Sequence, residues 1–247
     1  MSPTTAFAAA IRPRHERLDA LRAVAMVWMA VFHFFFDLNH FGHLRQNFYT
    51  DPFWTWQRTC IVSLFLFCVG LGQAVALHQG QGWPRFWRRW AQVVGCAVLV
   101  SAGSWFMFPK SFISFGVLHA IAVLLIVLRL TAGTGAWLWW LGLAALLAPQ
   151  VVQHAAFDSR WMNWVGLVTR KPIAEDYVPV LPWLGVAWWG LAAGQWALRA
   201  RPGWLAGALP AAARPMATFG RWSLSFYMLH QPILIGGLMA FGALRGR

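Results

Sequence analysis

Seven apolar runs recur along the chain, each close to the 20 or so residues that a helix needs to cross the hydrocarbon of a bilayer, with short connections between them. They are Leu18 to Leu38, Phe53 to Leu77, Trp90 to Phe108, Phe115 to Leu130, Ala136 to Val152, Leu181 to Leu198 and Trp222 to Leu244. A backbone in lipid must satisfy its polar groups within its own segment, so runs of this length predict helices. The pattern therefore predicts an all-α fold, a polytopic transmembrane helix bundle of about seven spans. Charge content agrees, because only 11% of the 247 residues are charged. A typical soluble domain carries about 25%. The 18 Trp and 19 Phe suit lipid-facing and interfacial positions. Seven spans use about 140 positions, so residues 1–17 read as a short cytoplasmic tail and 18–247 as one transmembrane domain. The first run starts too late and is too long for a cleaved signal peptide.

The 20 Lys and Arg against 7 Asp and Glu give a net charge of +13, which in a soluble chain would point to nucleic acid. Here the basic residues fall between the apolar runs, as topogenic charges do, and no nucleic acid partner is expected. With the N-terminus inside, twelve of the 20 basic residues lie on the cytoplasmic side, and the other eight lie outside with five of the 7 acids. That asymmetry predicts an N-in, C-out topology, with an even number of spans as the rival. The external segment from His154 to Val180, which carries Asp158, Asn163, Glu175 and Asp176, is expected to cap a site. Cys60, Cys68 and Cys96 sit inside apolar runs, and Cys60 and Cys68 stand about 12 Å apart along one helix, too far for a disulfide. No GxSxG, HExxH, P-loop or CxxC pattern occurs, which argues against serine hydrolase, zincin, nucleotide-hydrolase and thiol-redox chemistry.

Ionisable groups at bilayer depth are costly, and each one is a functional candidate. The first run holds Asp19, Arg22, His33, Asp37 and His40 at steps of 3, 11, 4 and 3, which puts them on one stripe of a helix. His33 lies about 16 Å beyond Arg22 along the axis, near mid-membrane. Asp37 is one turn further on, where a carboxylate can fix the tautomer of His33 and stabilise its protonated form, as a general base requires. His119 in the fourth run, and Ser223, Tyr227, His230 and Gln231 in the last, offer further site candidates. Gln57 and Arg58 stand at the outer start of the second run, within snorkelling reach of the headgroups. Each of these also has a plain reading as an interhelical hydrogen bond or an interfacial anchor.

The run RLDALRAVAMVWMAVFHFFFDL resembles the opening of the DUF1624 family of bacterial membrane proteins, and ISFGVLHAIAVLL, YVPVLPWLGVAWWGLAAG and FGRWSLSFYMLHQPILIG match its later signatures in order. That family is grouped with the heparan-alpha-glucosaminide N-acetyltransferase catalytic domain and, more distantly, with the acyltransferase 3 proteins. The resemblance implies transmembrane acetylation, with acetyl-CoA from the cytoplasm as co-substrate, a sugar or other envelope acceptor, and His33 as the catalytic residue. It implies the bacterial inner membrane, and no metal or haem is expected. Arg22, with Arg17 or Arg89, is placed to hold CoA phosphates, and about 16 Å is the order of length of a pantetheine arm. Whether His33 acts as general base or carries the acetyl group stays open, as does self-association. The residues alone also fit a multi-pass transporter or flippase using the same polar stripe, a haem or quinone protein using His33, His119 and His230, or a membrane subunit without chemistry.

Overall fold

The computed structural model describes residues 15–244, in which the regular structure is all helical with no strands. Most of the proposed N-terminal tail, with Arg12 and Arg14, lies outside the described residues, as do Arg245 and Arg247. Seven long helices correspond to the seven runs: α1 (Glu16–His40), α2 (Pro52–His78), α3 (Trp83–Met107), α4 (Val117–Thr131), α5 (Trp137–Val151), α6 (Val180–Ala200) and, after two short helices, α9 (Ser223–Leu244). The short ones are α7 (Pro202–Ala206) and α8 (Arg214–Gly220). Five helices, α1, α2, α3, α4 extended by the turn to Thr134, and α9, are long and apolar enough to cross a membrane. The other two fall short for different reasons. α5 has only 15 residues, while α6 has 21 but dilutes its aliphatic content with four Trp and three Gly.

Local chemistry sets the helix starts. Asp51 caps α2 by accepting the Phe53 N–H at 2.8 Å, with Pro52 at the first helical position where its missing N–H costs nothing. α4 starts after Gly116 under two side chains, one from elsewhere and one its own: Asp176 accepts the Val117 N–H at 2.8 Å, and His119 in the first turn accepts the Gly116 N–H at 3.2 Å.

The main apolar core lies among α2, α4, α5 and α6, around the fully buried Leu66, Leu124, Leu128, Leu138 and Leu191. α2 and α6 approach closely because both are bare where they cross. A Cβ at Gly70 would strike the Ala187 carbonyl, and one at Gly190 the Phe67 carbonyl. A smaller cluster of Met29, Phe32, Phe48 and Ile61 joins α1 to α2, with Phe48 stacked on Trp54 at 4.0 Å. α1 and α9 run in the same direction: going up α1 through His33, Asp37 and the following His43, the partners on α9 are His230, Gln231 and Phe241.

Candidate active site

The two histidines of the paired helices meet directly. His33 Nδ1 lies 2.8 Å from His230 Nε2, the two rings meeting edge to edge with centroids 5.0 Å apart and planes 19° apart. The protons follow from the partners. His230 Nδ1 is 2.7 Å from the Tyr227 carbonyl, which can only accept, so that nitrogen carries the hydrogen. In a neutral ring, His230 Nε2 then has the lone pair and accepts from His33 Nδ1–H. The chain of hydrogen bonds leaves His33 Nε2 as a lone pair with no partner among the described residues, the state a general base needs. Helix spacing pointed to Asp37 as the group orienting His33; the structure gives that place to His230, because α9 runs alongside α1 and delivers an imidazole edge-on.

Asp37 does something else. It is 3% exposed, its Oδ1 accepts the Gln231 amide at 2.8 Å, and its Oδ2 has no partner. Gln231 Oε1 is also buried and unpartnered. Two orphan acceptors on one bonded pair, one turn beyond His33, form a nook that lacks hydrogen-bond donors. Each unsatisfied group costs about 1–3 kcal/mol.

Toward the Arg-bearing end a cavity of about 270 Å³ opens among α1, α2, α3, α4 and α9. Arg22, Arg89 and Gln81 line one end, and Val117, Leu118 and Tyr227 also line it. Arg22 bonds Asp19 at 3.0 Å and lies against Gly72, where a Cβ would meet its guanidinium. Arg129 adds a third guanidinium close by, bonded to the Gln81 carbonyl and set 5.0 Å over the Trp83 ring. Gln73, 4% exposed, lines the same cavity with an amide nitrogen that has no partner. Sequence reading passed over Gln73 and Arg129. The signal for Gln73 was available, since it is a lone amide in the apolar stretch VGLGQAVAL; Arg129 read as a topogenic charge, and only the chain returning at Gln81 shows otherwise.

Other candidates are engaged in structure. His119 accepts from Gly116 at Nδ1, so its Nε2–H donates to Ser101 Oγ at 3.2 Å, and Ser101 donates to the Ile113 carbonyl at 2.6 Å. It thus ties the start of α4 to α3. Gln57 accepts the Trp28 indole N–H at 2.6 Å, joining α2 to α1. All three histidines of the haem alternative therefore have other bonded partners. Arg58 stands within electrostatic reach of Asp176 and Lys171 in the segment that follows the short turns at Ala155–Asp158 and Asn163–Val165. Burial pushes the Asp176 carboxyl above the usual range, opposed by the Val117 N–H and by Arg58 and Lys171. Burial pulls Lys171 down, with Arg58 adding to it. Elsewhere in this segment Asp158 accepts from the Thr169 hydroxyl and backbone at 2.5 and 2.7 Å, and Ser111 donates to Glu175 at 2.6 Å. Asn163 is buried, and its carbonyl takes the Tyr177 hydroxyl at 2.7 Å. The three cysteines are free, and Cys68 lines the cavity.

A cavity with Arg22 and Arg89 at one end, whose wall residue Tyr227 packs 5.7 Å from the His230 ring, is an arrangement that membrane acyl transfer can use, and comparison with known families agrees. The family model described as heparan-alpha-glucosaminide N-acetyltransferase, catalytic, matches residues 14–232. The chain belongs to this family. It is by that membership a membrane acetyltransferase-family protein, and the matched region takes in α1 through the first half of α9, including His33, Asp37, Tyr227, His230 and Gln231. No curated protein and no solved structure matches it significantly.

Proposed function

We propose that this protein transfers an acetyl group from acetyl-CoA to an acceptor on the opposite side of the membrane, with His33 as general base. The observation that carries the reading is the unbonded Nε2 of His33, fixed by the chain through His230 to the Tyr227 carbonyl, on the same helix as the cavity-lining Arg22. CoA phosphates would pair with Arg22, Arg89 and Arg129, and the buried Gln73 amide would donate to the pantetheine arm. A cavity of about 270 Å³ suits that arm and leaves the nucleotide outside on the basic mouth.

In the reaction His33 Nε2 takes a proton from the acceptor nitrogen or oxygen as that atom attacks the thioester carbonyl carbon. The C–S bond then breaks, and the thiolate takes the proton back from His33, so protons and charge balance. His230 holds the imidazolium of His33 by its acceptor nitrogen. Asp37 and Gln231, bonded to each other one turn beyond His33, would hold that end of α1 against α9 on the acceptor side. The family assignment favours this reading over a transporter.

The parallel course of α1 and α9 requires an odd number of crossings if both span, which supports seven helices across the membrane, N-in and C-out, with residues 18–247 as one domain. The bacterial inner membrane, a DUF1624 and acyltransferase 3 relationship and an envelope glycan as acceptor belong to this same reading.

The test is transfer of label from acetyl-CoA into an envelope extract by purified protein in liposomes. Wild type should transfer label and His33→Ala should not, with both proteins shown to be folded. Absence of labelled product and of CoA release from wild type with a competent extract would reject the proposal.

A further inference from the structure

Tyr227 connects the cavity to the histidine pair. Its ring lines the cavity, packs against both apolar clusters and stands 5.7 Å from the His230 ring, while its carbonyl fixes the His230 proton. Its hydroxyl makes no hydrogen bond among the described residues, and it is not sealed away as the orphan oxygens of Asp37 and Gln231 are. A phenol held this deep normally finds a partner. One that has none, on the wall of a cavity, donates to whatever the cavity holds.

The same cavity also touches the start of α4, through Val117 and Leu118. The first N–H groups of a helix favour negative charge beside them. Asp176 already occupies the Val117 N–H, and the Tyr227 hydroxyl adds a side-chain donor on the cavity wall at this end.

We propose that Tyr227 is a catalytic residue whose hydroxyl donates a hydrogen bond to the thioester carbonyl oxygen as negative charge builds there. The inference rests on the acyl-transfer reading above. The acceptor's attack makes the carbonyl carbon tetrahedral and moves an electron pair onto its oxygen. Tyr227 stabilises that oxygen without giving up its proton. When the carbonyl reforms and the thiolate leaves, the hydroxyl is unchanged, and the proton taken by His33 goes to the sulfur. His33 and Tyr227 thus divide the work: one handles the proton, the other the charge. The cavity meets its histidines through a tyrosine because a phenylalanine of the same shape would leave the oxyanion without a donor.

Loss of one oxyanion donor lowers kcat about 100- to 1000-fold. Tyr227→Phe should show that loss in liposomes, with the KM for acetyl-CoA and the Kd of an unreactive thioether analogue of acetyl-CoA both within about threefold of wild type, and with unchanged thermal unfolding. Site-directed 3-fluorotyrosine at position 227, a more acidic phenol of nearly the same size, should keep kcat near wild type. A Tyr227→Phe protein that retains kcat within twofold, or that loses analogue binding and thermal stability together with kcat, would overturn the assignment. Wild type that makes no product at all refutes the acyl-transfer reading itself, whereas equal product from wild type and Tyr227→Phe refutes only the role of the hydroxyl.

Discussion

Replacing His230 tests the central geometric statement, that its ring and not Asp37 sets the protonation of His33. His230→Phe keeps an aromatic ring between Phe226 and His33, whose ring centroids lie 5.7 and 5.0 Å from that of His230, and removes both nitrogens: the one that accepts His33 Nδ1–H and the one that donates to the Tyr227 carbonyl. Two effects add. The neutral His33 is no longer held in the tautomer with a free Nε2, and the imidazolium formed during transfer loses a charge-assisted bond worth about 1.5–3 kcal/mol. At 1.36 kcal/mol per factor of ten, the second effect alone lowers kcat about 10- to 150-fold. The KM for acetyl-CoA should stay put, because none of the Arg side chains is touched. His230→Gln should recover part of the loss, since its amide oxygen can accept from the same Nδ1–H. The assay is steady-state transfer of labelled acetyl in liposomes, with thermal unfolding in detergent as control. Full activity in His230→Phe would show that the imidazole pair is only packing. A Gln variant as slow as the Phe variant, with intact folding, would show that the accepting atom is not what matters.

Asp37→Asn keeps the size but removes the charge that accepts from Gln231, a bond worth about 1.5–3 kcal/mol, so it should lower the unfolding temperature without changing the KM for acetyl-CoA. A change confined to the donor's KM would place Asp37 on the wrong side of the reaction. Gly190→Val should destabilise the α2–α6 crossing by about 1–3 kcal/mol or more through overpacking against the Phe67 carbonyl, read as a lower unfolding temperature; an unchanged one would show that the crossing yields easily. Tyr177 is held up to about 12, chiefly by burial and further by the Asp158 charge, against its ordinary 10.0. The folded form therefore keeps a proton that the unfolded form releases. Its contribution is intact below pH 10 and is lost as pH rises toward about 12. Unfolding followed across that window should show the decline in wild type and a flatter profile in Tyr177→Phe, and identical slopes would assign the decline to other groups.

The sequence by itself determined the helices. Apolar runs of span length leave no other backbone solution in lipid, and the seven long helices follow the seven runs to within two residues at their ends, except that α3 begins at Trp83, seven residues before the run read from Trp90. It also marked His33, Asp37, His230 and Gln231, because ionisable and amide groups in such runs are too costly to be incidental. Spacing along one helix, however, says nothing about the helix beside it. Asp37 is one turn from His33 by arithmetic, yet the pairing of α1 with α9 hands His33 to His230 and Asp37 to Gln231. Likewise His119 looked like a site residue from its depth, and the fold uses it to hold the start of α4. Gln73 and Arg129 come into view only where α2, α3 and α4 close around the cavity. The physical reason is range. Hydropathy and helical period act over one turn or one span and can be read from neighbours in sequence. Which atoms meet across the 197 positions between His33 and His230 depends on how whole helices pack, and that is settled by bare glycine crossings and shared apolar clusters that no local pattern encodes.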